Sequence, residues 1–294
     1  MAVEKTVNTR RLEQLISDPA EPTDAQLPAT NSQRRGLAVS GARDVRRVIN
    51  GRAVSVRNMA MIDAAWENLG PITRDPKPNA RMRQFNEIAR KTENASRFDV
   101  LRAQLLQAFQ KRNFKVLGIT APRAGCGASF TTAGVLASFA RRKDARVVGL
   151  DVNLARPSLH QFFEVTPPGP IAALIDGQVP LESHLQRATP SLAFGLSGMD
   201  ETDRNFVPEK AAFADFLADI SQVLAPDMVI CDLPPLQEGD KALSMLPSMD
   251  AVLLIADARR TTAAQITECE RILSDEAEFL GVVLNRATGT TEGR

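Results

Sequence analysis

Two patterns alternate along the chain after residue 97. Apolar, β-compatible runs occupy residues 115–120 (KVLGIT), 146–151 (RVVGLD), 228–232 (MVICD), 251–256 (AVLLIA) and 280–284 (LGVVL), with a shorter one at 192–196 (LAFGL). Between them, residues 98–109, 130–140, 211–224 and 261–273 space their apolar positions as a helix with one buried face does. Strands that are apolar throughout are buried on both faces, and helices alternating with them are the crossovers of a parallel sheet. The pattern predicts an α/β domain with a doubly wound, mostly parallel sheet of about 195 residues, an ordinary size for one domain.

Before residue 98 the pattern is polar. Residues 18–33 are rich in Pro, Asp, Thr, Ala and Asn and are expected to be disordered. A basic stretch follows, with Arg34, Arg35, Arg43, Arg46, Arg47, Arg52 and Arg57 opposed only by Asp44. Residues 58–69 then place Met59, Ile62, Ala65, Trp66 and Leu69 on one narrow helical face, which carries the single Trp of the chain. Gly70-Pro71 ends that helix, because Pro cannot continue it, and residues 73–83 read as a Pro- and Arg-rich linker. The Trp face has two readings: it folds back on the globular domain, or it docks on another protein. The Arg cluster is either a solvated tail or a contact with an anionic membrane surface, at about 1 kcal/mol per basic residue. The expected division is a basic, mostly flexible, largely disordered arm over 1–95 with a short helix near 58–69, the α/β domain over 96–288, and a short tail over 289–294.

Charge sharpens that division. Residues 1–97 carry 17 Lys+Arg against 11 Asp+Glu, a net of +6, whereas the remainder carries 19 against 24, a net of −5. The overall charge of +1 argues against a chain-wide nucleic-acid binder, so nucleic acid is not an expected partner. Cys126, Cys231 and Cys269 are too few and too far apart for a disulfide scaffold or a zinc site. Cys231, inside an apolar run, reads as a buried small side chain. With no signal-like segment and no run near the 18 or so apolar residues of a membrane span, a cytoplasmic protein is expected.

In such a sheet ligands bind beyond the carboxyl ends of the strands, so the residues following each strand carry the candidate chemistry. After the first comes residues 121–129 (APRAGCGAS), a Gly-containing loop opening a helix, where backbone N–H groups converge on phosphate oxygens. After the second, Asp151 is a carboxylate able to orient a water or a metal-bound water. Asp232, followed by Leu233-Pro234-Pro235, ends another strand where a Mg²⁺ shell is commonly held. Asn285 ends the last strand as an amide able to read a base edge. Each has a bland counterpart, since a strand-end Asp or a Ser often only caps the next helix.

Taken in this order, the fragments resemble the bacterial tyrosine kinases of capsule and exopolysaccharide biosynthesis, which are relatives of the MinD/ParA ATPases within the P-loop NTPases. The resemblance covers residues 96–287. It rests on residues 150–160 (LDVNLARPSLH), similar to that family's second Walker motif, on 229–235 (VICDLPP), similar to its Walker B, on 281–286 (GVVLNR) and on 98–106 (FDVLRAQLL). It implies a P-loop fold, ATP or ADP with Mg²⁺, catalytic Asp151 and Asp232, and metal contacts from Ser129, Asp151 and Asp232. Nucleotide contacts are implied for Gly125, Cys126, Gly127, Ala128, Ser129, Phe130, Arg123, Arg156 and Asn285. It further implies a membrane-anchored polysaccharide co-polymerase or chain-length regulator as partner, homo-oligomers, and a cytoplasmic location, peripheral at the inner membrane through that partner.

The departures point the other way. Where the family's phosphate loop has Lys, this chain has Ala128; where its second Walker motif has a second Asp and a first Arg, it has Asn153 and Ala155. Of the family's three charges in its oligomerisation helix, at Ser96, Asp99 and Arg102 here, only the last is kept. The sequence contains no tyrosine, which removes self-phosphorylation on that residue. A lost phosphate-loop donor typically lowers the rate ~10²–10³-fold, with Arg123 or Arg156 as possible replacements for its charge. Expected from this is a regulatory or scaffolding component of polysaccharide synthesis and export, impaired in phosphoryl transfer. The alternatives are an active ATP-dependent kinase or slow ATPase of that pathway, a MinD/ParA-like positioning ATPase, and an interaction module that no longer binds nucleotide.

Overall fold

The computed structural model describes residues 46–49, 52–75, 92–142, 144–198 and 200–287. The expectations for residues 1–45 of the arm, for residues 76–83 of the linker and for the tail over 289–294 lie outside the described residues, as do the side chains of Arg46, Arg47, Arg52 and Arg57.

In chain order, strands β1 (Arg46–Ile49) and β2 (Arg52–Ser55) form an antiparallel pair that leads into α1 (Val56–Asn68) and the two-residue strand β3 (Gly70–Pro71). Helix α2 (Thr92–Arg112) precedes β4 (Val116–Thr120), α3 (Ala128–Arg141) and β5 (Val147–Asp151). Short helices α4 (Leu159–Phe163), α5 (Ile171–Ile175) and α6 (Leu181–His184) come before the hairpin of β6 (Gln186–Thr189) and β7 (Leu192–Gly195). Then follow α7 (Glu201–Asn205), α8 (Lys210–Leu224), β8 (Met228–Asp232), β9 (Ala251–Asp257), α9 (Ala263–Ser274) and β10 (Glu278–Asn285).

One eight-stranded sheet runs β10-β9-β4-β8-β5-β7-β6-β3, parallel at every pairing but β6–β7. Each apolar run of the sequence is a strand here, and β4, β5, β8 and β9 are buried along their whole length. The unforeseen strands of this sheet are those without such a run: β6 is polar and only part-buried, and β3 is a Gly-Pro pair on the edge; the separate β1–β2 pair is likewise unforeseen. Pro is tolerated there because an edge strand need not donate on its outer side.

Two apolar layers flank the sheet. One is built by α2, α3 and α4, with Phe98, Leu105, Phe139 and Leu159 against β4, β5 and β7. Gly134 of α3 makes room for α2, since a Cβ there would lie 2.3 Å from the Phe98 ring. The opposite layer contains Phe213, Phe216, Ile220 and Leu224 of α8, and also Trp66 and Leu69.

Trp66 therefore folds back on the domain, and this face of α1 is not an open docking peptide. The indole is 2% exposed and its Nε1–H donates to the Leu224 carbonyl at 2.7 Å, one of the acceptors a helix end leaves unpaired. Arg146 closes over the ring at 5.5 Å from its centre and bonds Asp63 at 2.6 Å. Beyond α1, Gly70 and Pro71 pair with β6, and Arg74 forms a bridge with Val165. Residues 58–75 thus pack with the body of the domain, and α2 begins at Thr92, ahead of the 98–109 helix expected from the pattern.

The chain passes from β4 to β5, leaving a place between them for β8, and later sets β9 on the other side of β4. That reversal brings the carboxyl ends of β4, β5 and β8 around one crevice.

Candidate functional site

A cavity of about 410 Å³ opens at that crevice. Its floor is the loop after β4, which turns into α3. Gly125 and Gly127 take φ of +84° and +100°, a region open to glycine at no steric cost. Gly127 is required twice over, because a Cβ on it would come within 2.0 Å of Asn285 Nδ2. The Asn285 amide instead donates to the Cys126 carbonyl at 2.7 Å and clamps the loop to the end of β10. The base-edge reading of Asn285 thus gives way to a loop-holding contact for its nitrogen, although the residue lines the cavity. Its Oδ1 is buried with no hydrogen-bond partner.

Below the loop lie two carboxylates on adjacent strands, since Asp151 and Asp232 are register partners across β5 and β8. Both are fully buried, under the cavity rather than in its wall. Asp151 Oδ2 accepts the Ser158 and Leu159 N–H groups at 2.9 and 2.8 Å, at the start of α4. The capping reading of Asp151 thus holds for one oxygen, while Oδ1 is left without a partner. Asp232 Oδ1 accepts the Thr132 hydroxyl at 3.2 Å, Ser129 also bonds this carboxylate, and Oδ2 has no partner. Burial, and then the negative charge of Asp232, raise the Asp151 carboxyl well above its ordinary range. Burial raises Asp232 to about 7, against the pull of its hydrogen bonds from Ser129 and Thr132.

These atoms form an acceptor set that fits a hydrated divalent cation. Two buried carboxylate oxygens without partners, with a hydroxyl at the mouth of α3, suit the hard oxygen shell of Mg²⁺. Thr132 was missed from the sequence, yet its position one helical turn after Ser129 marks it, as residues three apart share a face.

The phosphate side differs. Gly125, Cys126, Gly127, Ala128, Ser129 and Phe130 all line the cavity, as do Arg123 and Arg156. Asn153 and Ala155, the departures in the second Walker-like segment, line it too. No lysine rises from the loop, because Ala128 holds that place. Arg123 is exposed. Arg156 is tied to Glu238 Oε2 at 3.2 Å, and Glu238 Oε1 accepts the Ala124 N–H at 2.7 Å. Glu238 and Lys241, both from the loop after β8, complete the wall and were not anticipated. Their signal was thin: two charges in a Gly-containing stretch beyond Pro234-Pro235. Arg286, also in the wall, pairs with the buried Asp257 at 2.6 Å.

Elsewhere the expected residues are engaged within the fold. Arg102, the retained charge of the oligomerisation-like helix, bonds Asp144 at 2.8 Å and lies over the Phe139 ring. The three cysteines are free thiols, all buried, with Cys231 inside β8 as its sequence context implied. No helix among the described residues is long and apolar enough to cross a membrane.

No family model matches the chain. Among curated proteins, tyrosine-protein kinase etk of Escherichia coli K12 is 25% identical over 191 residues, 63% of this chain and 25% of that protein. Tyrosine-protein kinase ptk of Acinetobacter johnsonii is 27% identical over 187 residues, 63% of this chain and 24% of its own length. The putative tyrosine-protein kinase EpsB of Ralstonia nicotianae is 25% identical over 189 residues, again 63% of this chain and 24% of that protein. The chain thus spans about a quarter of the length of these relatives. Among solved structures, the kinase domain of Escherichia coli tyrosine kinase ETK superposes with a TM-score of 0.56 at 20% identity, covering 71% of this chain and 84% of that one. The chimerical protein CapA2B2 superposes at 0.60 with 17% identity, covering 74% and 95%. In sequence the chain is similar to bacterial tyrosine-protein kinases, and its fold is that of their kinase domains.

Proposed function

We propose that this protein is a regulatory, nucleotide-responsive component of exopolysaccharide or capsule biosynthesis and export, impaired in phosphoryl transfer. The observation that carries this reading is the contrast across one cavity. The glycine turns, Ser129, Thr132, Asp151 and Asp232 stand ready for a phosphate and its Mg²⁺, while Ala128 lines the wall where a cation is needed to stabilise developing phosphate charge.

In this reading the N–H groups of residues 124–130 bind phosphate oxygens, and Ser129, Asp232 and Asp151 hold Mg²⁺ through its water shell. The ion supplies neutralisation of phosphate charge. Asp151 and Asp232 share few protons between them when the ion is present, because its positive charge favours both carboxylates. A membrane-anchored polysaccharide co-polymerase is the proposed partner, self-association and anionic lipid contacts of the basic segment are proposed beside it, and the nucleotide-binding body is proposed to be 96–288 with the start of α2 and residues 58–75 packed onto it. The sequence offers no tyrosine for its own phosphorylation.

Calorimetric titration with ADP and ATP, with and without Mg²⁺, tests the reading. Binding that requires Mg²⁺, with turnover slow relative to release, is the expected result. Absence of binding by either nucleotide at millimolar concentration overturns it. A second reading, a slow ATPase or kinase, is favoured by Lys241, a cation that lines the cavity while its ammonium donates to the Arg204 carbonyl. Its mark is turnover that falls on Lys241→Ala.

A further inference from the structure

The loops after β4 and β8 are stitched together by their backbones. Leu236 N–H donates to the Ala121 carbonyl at 2.9 Å and Gln237 N–H to the Pro122 carbonyl at 3.1 Å. The Thr120 hydroxyl donates to the Pro234 carbonyl at 2.7 Å. The next residue along this seam is Glu238, and its position is therefore fixed by neighbours rather than by its own side chain. Its carboxylate, about 30% exposed, spans two groups that a phosphate would use: the Ala124 N–H of the phosphate loop at 2.7 Å and the Arg156 guanidinium at 3.2 Å.

We propose that Glu238 is the specificity-determining residue at the phosphate end of this cavity, an internal carboxylate that a bound phosphate group must displace from Ala124 and Arg156. The inference rests on the nucleotide reading above and names how that site selects its ligand. A carboxylate and a phosphate oxygen compete for the same donors, and the two anions repel at a few ångströms. With Ala128 in the loop there is no lysine to offset that repulsion. The outermost phosphate of a nucleotide meets this cost in full, so the site favours a diphosphate over a triphosphate, and Mg²⁺-bound over free nucleotide. Removing the charge while keeping the shape frees Arg156 and lifts the discrimination. The backbone seam at Ala121 and Pro122 does not depend on the Glu238 side chain, so the loop keeps its course in the variants.

The test is calorimetric titration of the full chain, its Glu238→Gln variant, Ala128→Lys and the double variant with MgADP and MgATP at low salt. Glu238→Gln is expected to tighten MgATP roughly tenfold and MgADP by less, with the difference shrinking in 1 M salt. A gain in the same direction, smaller because the lysine offsets part of the repulsion, is expected when the substitution is made on Ala128→Lys, which supplies a binding background if the parent is weak. Adding Arg156→Gln to Glu238→Gln should take most of the gain back. If any of these proteins binds nucleotide and Glu238→Gln tightens neither the parent nor Ala128→Lys, the inference falls and the nucleotide reading stands. If none binds, both fall together.

Discussion

The two sides of the cavity have diverged in different ways. On the proposed metal side, Asp232 of β8 accepts from Ser129 and Thr132 of α3, Asp151 of β5 accepts from the start of α4, and two carboxylate oxygens are left without partners. On the phosphate side, the loop keeps its glycine turns but has lost its lysine position to Ala128, and an internal carboxylate occupies Ala124 and Arg156. In the proposed reading, ligand geometry is kept while transition-state charge is withdrawn. That is the pattern expected of a protein that senses nucleotide more than it consumes it.

The support beneath the metal side gives the largest expected effect. Trp66 packs in the same apolar layer as Val148, Leu150, Val229 and Cys231, the strands that end in Asp151 and Asp232. Trp66→Ala is expected to cost about 3–5 kcal/mol, read by denaturant unfolding. A loss below about 1 kcal/mol means that α1 is not part of the core and that the carboxylates are held without it.

The buried carboxyl pair sharpens the comparison through pH. The Asp232 carboxyl, raised from 3.8 to about 7, stays protonated in the folded protein where the unfolded chain has already ionised. Its contribution to stability is complete below 3.8 and is lost as pH rises through about 7. Without Mg²⁺, stability should therefore fall across this window, at up to about 1.4 kcal/mol per pH unit for one group. Asp232→Asn should reduce the slope without abolishing it, because burial keeps the Asp151 carboxyl raised, and Mg²⁺ should oppose the loss at neutral pH. A profile that is flat in the parent protein contradicts the assignment of the pair.

A smaller effect is expected in the loop. Gly127→Ala combines a left-handed φ with a clash against the Asn285 amide, at a cost of about 1–3 kcal/mol. It should weaken nucleotide more than it weakens Mg²⁺-free folding, since it strikes the clamp between Asn285 and Cys126. Equal binding in Gly127→Ala and the parent means that the loop does not carry the phosphate.

Much of this was legible in the residues. The strands ending in Asp151 and Asp232 are apolar throughout, which fixed their burial and placed both acids at the crevice. The loop glycines announced their backbone. What the sequence did not display were contacts made by topology. Trp66 reads equally well as a docking face or a core residue, and only the Leu224 carbonyl decides between them. Glu238 sits in a turn-like stretch whose importance comes from pairing with the loop of a distant strand. Asn285 carries a side chain suited to a base, but its nitrogen is taken by Cys126. β6 escaped notice because a half-exposed antiparallel strand needs no apolar run.

The proposal's central claim is that charge withdrawal on the phosphate side, above all at Ala128, and not loss of the site, separates this chain from an efficient phosphoryl-transfer enzyme. The direct measurement is turnover of saturating MgATP by the parent and by Ala128→Lys under identical conditions. The account predicts a gain of roughly 10²–10³-fold on restoring the lysine. A parent rate already equal to that of Ala128→Lys would contradict it.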